Sequence, residues 1–248
     1  MAMTNRPAPV PQESSQPVPS ARETAAAQRQ LRRVTGISAI LTAVAGTVVG
    51  DLYFAYSGNP PQWDVLTRSL LNLVTVGLFI VFVTGLSSIL RDADRNYAWL
   101  ANLVFGAGLI YTAIDLVKIS LEVGVVLGVP SGKFDPTTDG PLAHANVLMH
   151  GSVTRLVTAL LLAAAGYAIL RTRALPRWAG RTAYLLAVIN LAFVPSLYFG
   201  MDPARFYSAL GWGNTALTAG LITYWAAAVG IAVMRQAPKK GQVVAAAR

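Results

Sequence analysis

The sequence predicts an all-α membrane protein, a six-helix transmembrane bundle with both termini on the cytoplasmic side (N-in/C-in). Three observations lead there. Of the 248 residues, 54% are hydrophobic and only 12% charged, about half the charged share of an ordinary soluble domain. The apolar residues fall in long blocks rather than in short or alternating runs. Lysine and arginine collect on one side of those blocks.

Six apolar blocks stand out, at about Val34–Tyr56, Ser69–Leu90, Ala98–Leu121, Asn146–Leu170, Thr182–Phe199 and Ala209–Met234. A helix needs about 20 residues to cross a ~30 Å hydrocarbon core, and each block is near that length. Lipid offers no partner to an unpaired amide, which leaves helices or a closed barrel. Runs this continuous exclude barrel strands, whose polarity alternates. The breaks between blocks fit: Ser57–Gly58–Asn59–Pro60–Pro61, the loop opened by Pro130–Ser131–Gly132 and closed by Asp139–Gly140–Pro141, and Asp202–Pro203. No internal repeat and no pair of broken helices is evident.

The chain therefore divides into a tail over 1–33, a membrane domain over 34–235 and a short basic tail over 236–248. The first tail carries Pro7, Pro9, Pro11, Pro17 and Pro19 and has no apolar stretch of signal-peptide type. Its composition predicts disorder.

The formal net charge of +9 is a matter of topology rather than of nucleic acid. With six spans, 15 lysines and arginines fall on one face and 3 on the other (Arg68, Lys133 and Arg205), with Lys118 and Arg155 within spans. The basic face is expected in the cytoplasm of a bacterial inner membrane. Trp99 and Trp178 mark the inner boundary, Trp63 and Trp212 the outer one, and Trp225 packs between helices. Gly77, Gly85, Gly106, Gly108, Gly211, Gly213 and Gly220 allow helices to approach closely.

Ionisable groups inside spans cost about 2.5–3.5 kcal/mol each on insertion scales, so each calls for a partner or a role. They are Asp51, Asp115, Lys118, Glu122, His150 and Arg155. At 1.5 Å of rise per residue they lie roughly 23–30 Å or more above the inner boundary, all in the outer third. Tyr111, Asp115, Lys118 and Glu122 share one face of the third helix. Asn146, His150, Thr154 and Thr158 form a stripe on the fourth, with Arg155 beside it as a candidate partner for Asp115 or Asp51. Lys118 and Glu122 are placed to snorkel to the headgroups. Pro195 is placed to kink the fifth helix.

Two readings of this cluster compete. Either the groups are structural ion pairs and interhelical hydrogen bonds, worth about 0.6 kcal/mol per contact, or Asp51, Tyr111, Asp115, Lys118, Glu122, Asn146, His150 and Arg155 line a pocket for a small polar or amphipathic ligand. No cofactor is expected. Cysteine is absent, which excludes disulfides, cysteine-held zinc, iron–sulfur clusters and thiol nucleophiles. His144 and His150, six apart, do not share a helical face, so no metal site is expected. With no carboxylate in the inner half of the spans, a proton path across the membrane is not expected.

The Leu175–Pro176–Arg177–Trp178–Ala179–Gly180 turn after Gly166–Tyr167, the Arg33–Gly36 entry to helix one and the Leu90–Arg91 exit from helix two resemble a large bacterial family of six-span membrane proteins of unknown function. The similarity covers about residues 33–200. It implies the fold and carries no chemistry.

No motif names a reaction. The expected function is a non-catalytic membrane protein that binds a small ligand or serves as an accessory subunit. The alternatives are an intramembrane enzyme doing acid–base chemistry on a lipid-soluble, isoprenoid-like substrate, and a subunit of a homo-oligomeric transporter. Expected partners are the lipid bilayer, an amphipathic or lipid-soluble small molecule and a second copy of the chain.

Overall fold

A computed structural model describes residues 20–56, 58–128 and 133–236. The chain there forms α1 (Ala21–Tyr53), α2 (Gln62–Ala93), α3 (Ala98–Gly128), α4 (Gly140–Leu148), α5 (Thr154–Thr172), α6 (Arg177–Phe193) and α7 (Thr218–Arg235), with no strand among the described residues. Six stretches are long and apolar enough to cross a membrane: Arg22–Tyr53, Gln62–Ala93, Arg95–Gly128, Gly140–Thr172, Arg177–Phe199 and Gly213–Arg235. The protein is a multi-pass α-helical membrane protein. Six passes bring both ends of the described chain to one face, here called the terminal face; the turns at 54–56 with 58–61, 133–139 and 200–212 form the distal face.

Successive spans are neighbours. α1 packs on α2, α2 on α3, α3 on α5 and α5 on α6, and α7 returns to α1 and, more sparsely, to α6. The result is a closed ring. Two contacts set how tightly it closes. A Cβ on Gly85 of α2 would collide with Thr35 Oγ1 of α1. Gly36 of α1 and Gly230 of α7 face each other, and a Cβ on Gly36 would stand 2.7 Å from the Gly230 carbonyl. The absence of side chains is what lets these backbones meet. Gly77 and Gly106, also expected to pack, have nothing within 4 Å of a built Cβ and lie on open faces.

The ring's interior changes character along its length. Toward the terminal face it is apolar: Phe82, Leu86, Val104, Leu162, Ala165, Ile169, Ala183 and Val229 pack together. Trp225 joins them, edge-on to Phe82 and donating its indole N–H to the Ala179 carbonyl at 3.1 Å. Toward the distal face α2, α3, α5, α6 and α7 carry polar buried residues: Asp64, Arg68 and Asn72 on α2, Asp115, Lys118 and Glu122 on α3, Thr154, Arg155 and Thr158 on α5, Asn190 on α6 and Thr218 on α7. The buried hydroxyls of α1 (Thr35, Ser38 and Thr42) satisfy themselves by donating to carbonyls of the preceding turn.

Three expectations from the sequence are revised. First, α1 begins at Ala21, not Val34. Ser20 and Glu23 form a reciprocal cap: Glu23 N–H donates to Ser20 Oγ at 3.3 Å and Ser20 N–H to Glu23 Oε2 at 2.7 Å. Such a box nucleates a helix that hydropathy alone does not reveal. The rest of the expected tail, 1–19, the basic tail from 237 and the loop opening at 130–132 lie outside the described residues.

Second, α2 begins at Gln62, after Pro61, and not at Ser69. Asp64, Val65 and Arg68 are thereby helical and turn inward.

Third, the spans are interrupted. A π-helical turn, Met149–Val153, separates α4 from α5, with Gly151 at the non-helical φ −86°, ψ −113°. Another, Gly213–Leu217, precedes α7, and Val194–Phe199 continues α6 as a 3-10 turn that contains Pro195. The three irregular segments touch one another at the distal end. Their contact points, Gly151, Ser152, Ser196, Gly213 and Asn214, are buried, and irregular backbone at membrane depth is tolerated where it is buried in protein.

Candidate functional site

The distal polar interior is built in two tiers. The upper tier depends on the early start of α2. Asp64 and Arg68 are one helical turn apart and face the ring's centre, and Glu122, near the end of α3, meets them. Exposure is 0% for Asp64, 2% for Arg68 and 1% for Glu122. Glu122 Oε1 accepts from Arg68 Nε at 2.9 Å, and Arg68 Nη2 lies 2.8 Å from the same oxygen at a poor hydrogen-bonding angle. Glu122 Oε2 accepts from the Tyr53 hydroxyl at 2.6 Å. Arg68 Nη1 reaches Asp64 Oδ2 at 3.5 Å, and Asp64 Oδ1 has no partner among the described residues. The Arg68 guanidinium lies 4.0 Å from the centre of the Tyr53 ring, and Lys118 Nζ lies 5.4 Å from it. The end of α1 is thus fastened to α2 and α3 through one tyrosine.

The lower tier is looser. Lys118 Nζ is 3.9 Å from Asp115 Oδ1, and His150 Nδ1 is 3.7 Å from the same oxygen. Both separations exceed direct hydrogen-bond length. Among the described residues, neither the Lys118 ammonium nor the Asp115 carboxylate makes a side-chain hydrogen bond. Lys118 is nonetheless only 4% exposed. His150 is the open member, its side chain 27% exposed.

Arg155 holds the break in the fourth span. Its Nε donates to the Gly151 carbonyl at 3.0 Å, Nη2 to the His150 carbonyl at 2.6 Å and Nη1 to Asn190 Oδ1 at 3.0 Å. The π turn frees carbonyls from the helical ladder, and a planar guanidinium with donors in a fork gathers two of them together with a neighbouring helix. Beyond it, Asn214 Nδ2 donates to Ser152 Oγ at 2.7 Å, Ser196 Oγ at 3.1 Å and the Ala209 carbonyl at 2.9 Å. This ties the three irregular segments together.

Compared with protein-family models, with curated proteins and with solved structures, the chain has no match. Its chemistry must be read from these contacts.

Of the residues singled out in the sequence, Asp115, Lys118, Glu122, His150 and Arg155 do converge. Tyr111 sits one turn before Asp115, its ring 5.5 Å from that of Phe79 at the floor of the polar region. Asn146 is buried but faces the distal loop, its Nδ2 donating to the Pro136 carbonyl at 3.1 Å. Asp51 stands apart: it is exposed near the end of α1, and its side chain pairs with nothing among the described residues.

Two pairings differ from expectation. Arg155 binds neutral oxygens and neither Asp115 nor Asp51, because the broken backbone beside it presents carbonyls at closer range. Lys118 and Glu122 do not snorkel; the early start of α2 and the end of α1 roof them over.

The residues missing from the sequence reading are Arg68, Asp64, Tyr53 and Asn190. Asp64 and Arg68 carried a signal, an acid–base pair at helical i,i+4 spacing just past Pro60–Pro61. Asn190 and Tyr53 carried none, being lone polar residues in apolar runs.

Counted whole, Asp64, Asp115 and Glu122 balance Arg68, Lys118 and Arg155. By tier they do not. The upper tier holds two acids and one cation, and the lower tier two cations and one acid. Among the described residues no three histidine or acidic side chains gather so as to hold a metal ion.

Proposed function

We propose that this is a non-catalytic membrane protein that binds a small polar or amphipathic ligand at the Asp115–Lys118–His150 edge of the distal cluster. One observation carries the reading. A buried ammonium and a buried carboxylate face each other without a direct hydrogen bond beside a partly open histidine, while in the tier above them Glu122 is bonded directly to Arg68 and Tyr53. Buried polar groups are ordinarily paired, and a charge left short of partners is costly. Buried charges in perturbed surroundings beside an opening cluster at functional sites. The upper tier, by contrast, supports a structural role for Arg68, Glu122 and Tyr53.

The same proposal places the chain in a bacterial inner membrane with both termini cytoplasmic and the cluster opening outward, on the strength of the lysine and arginine partition. It also keeps the likeness to the uncharacterised six-span bacterial family as a proposed kinship. The interrupted spans favour a second reading, a transporter subunit, since broken helices recur at transporter binding sites. The apolar terminal half of the ring argues against a proton path in that role.

The test is native mass spectrometry of the full chain in mild detergent, wild type beside His150→Ala, a change at the exposed edge that leaves the upper tier intact. The expected result is a specific small molecule on the wild type, lost from a His150→Ala protein of unchanged thermal midpoint. A wild type that carries no adduct, or a variant that retains it, removes the reading. Uptake of the identified molecule into vesicles would decide for the transporter.

A further inference from the structure

The tier imbalance bears on the charge of the ligand. Within the lower tier, Arg155 is fully engaged, but every acceptor it meets is neutral: two backbone carbonyls and one amide oxygen. Its charge is therefore solvated but not cancelled. Lys118 adds a second positive charge, and Asp115 supplies the one negative charge opposite, at 3.9 Å from Lys118 and 3.7 Å from His150. The acids of the upper tier are bonded elsewhere, Glu122 to Arg68 and Tyr53 and Asp64 beside Arg68, which leaves Asp115 as the acid within 4 Å of Lys118 and His150. The lower tier taken alone thus carries one net positive charge, with Lys118 buried and His150 open at its edge. The donors at this edge are the Lys118 ammonium, which also stands 5.4 Å from the Tyr53 ring, and the one N–H of a neutral His150. A low-dielectric wall magnifies such an imbalance.

The geometry points to a monoanion as the occupant: a carboxylate or phosphodiester whose oxygens accept from Lys118 and His150. This rests on the ligand-site reading above and adds the charge class. A cation there would face two fixed cations, and a neutral alcohol would leave the imbalance as it is. The recognition chemistry is the same for an anion free in water and for one carried on a lipid tail.

The experiment is equilibrium binding of four probes to the full chain in mild detergent, scored as saturable binding above partition into empty micelles. The probes are laurate, dodecanol and dodecyltrimethylammonium, which share a tail and differ in charge, and acetate, which has the charge without the tail. The expected order is laurate tightest, dodecanol at least about tenfold weaker and no saturable site for the cation, since one charge at roughly 6 Å carries effects of that size in a protein.

Lys118→Gln should weaken laurate at least about tenfold on the same grounds. Asp115→Asn should tighten it, because it removes the only negative charge facing the anion. A variant that merely folds poorly cannot bind more tightly, so the Asp115→Asn gain separates the proposal from lost structure. Acetate displacing laurate indicates a free anion, and laurate alone binding indicates a lipid-borne one; both uphold the inference.

Equal binding of laurate and dodecanol, preference for the cation, or weaker laurate binding to Asp115→Asn overturns it. In those cases the site itself survives if His150→Ala still alters binding. Saturable binding of none of the probes overturns both the inference and the ligand site.

Discussion

Arg68 illustrates how a residue's role depends on a helix boundary of a few residues. In the sequence it precedes the apolar block that opens at Ser69, in the position of an interfacial cation. In the structure α2 starts at Gln62, and Arg68 becomes one of the largest fully buried side chains of the chain. Hydropathy could not show this, because a charged first turn lowers the average of the window that contains it. The i,i+4 pair with Asp64 was visible, but whether such a pair faces water or a third partner is decided by α3, far away in sequence.

Burial also sets the energetics. Removing one member of a fully buried ion pair strands the other and typically costs about 3–5 kcal/mol, whereas replacing all members by apolar groups is often neutral. Glu122→Gln should therefore destabilise the protein by an amount in that range, read as a lower thermal midpoint in detergent by circular dichroism. The triple variant Asp64→Asn, Arg68→Met, Glu122→Leu should recover most of the loss. A triple variant less stable than the single one would show that the tier does more than balance itself.

At the scale of elements, the six spans were legible from hydropathy because lipid forces backbone satisfaction within each helix. Of the interruptions, only the one at Pro195 was. His150, Thr154 and Thr158 fall on an i,i+4 stripe that reads as one continuous helix, yet Gly151 leaves helical geometry between them. Glycine permits the departure without requiring it; Arg155 makes it stable by binding the released carbonyls. That role needs a planar fork and not merely a positive charge. Arg155→Lys keeps the charge but cannot reach the His150 and Gly151 carbonyls and Asn190 together. Its expected effect is local: faster amide hydrogen exchange over residues 149–155 and in the Asn214 segment that packs on them, with the core around Leu162 and Val229 still protected. Uniform loss of protection through α5 and α7 would instead make Arg155 a global stabiliser.

For the whole molecule, the division into an apolar terminal half and a charged distal half joins topology to function. α2 and α3 have 32 and 31 residues, about 48 and 46 Å at helical rise, against a hydrocarbon core of about 30 Å. The excess lets the upper tier sit at or beyond the hydrocarbon edge while the apolar half spans the bilayer. The sequence located the charges at one end correctly but took the wrong inventory, counting Asp51 in and Arg68 and Asp64 out.

With Arg68 withdrawn into the interior, the distal surface keeps only Lys133 and Arg205 of the three cations first assigned to it. The charge asymmetry that orients the chain is therefore steeper than the sequence count implied. The absence of cysteine makes this directly testable, since each introduced thiol is the only one in the protein. Asn96, in the turn between α2 and α3, and Ala204, between α6 and α7, are exposed and uncharged, so replacing them leaves the charge asymmetry untouched. Ala204→Cys should react with a membrane-impermeant maleimide on intact cells. Asn96→Cys should react only after the membrane is opened. The reverse pattern would turn the protein over, put the charged half in the cytoplasm, and require the ligand to be sought among cytoplasmic anions instead of outside the cell.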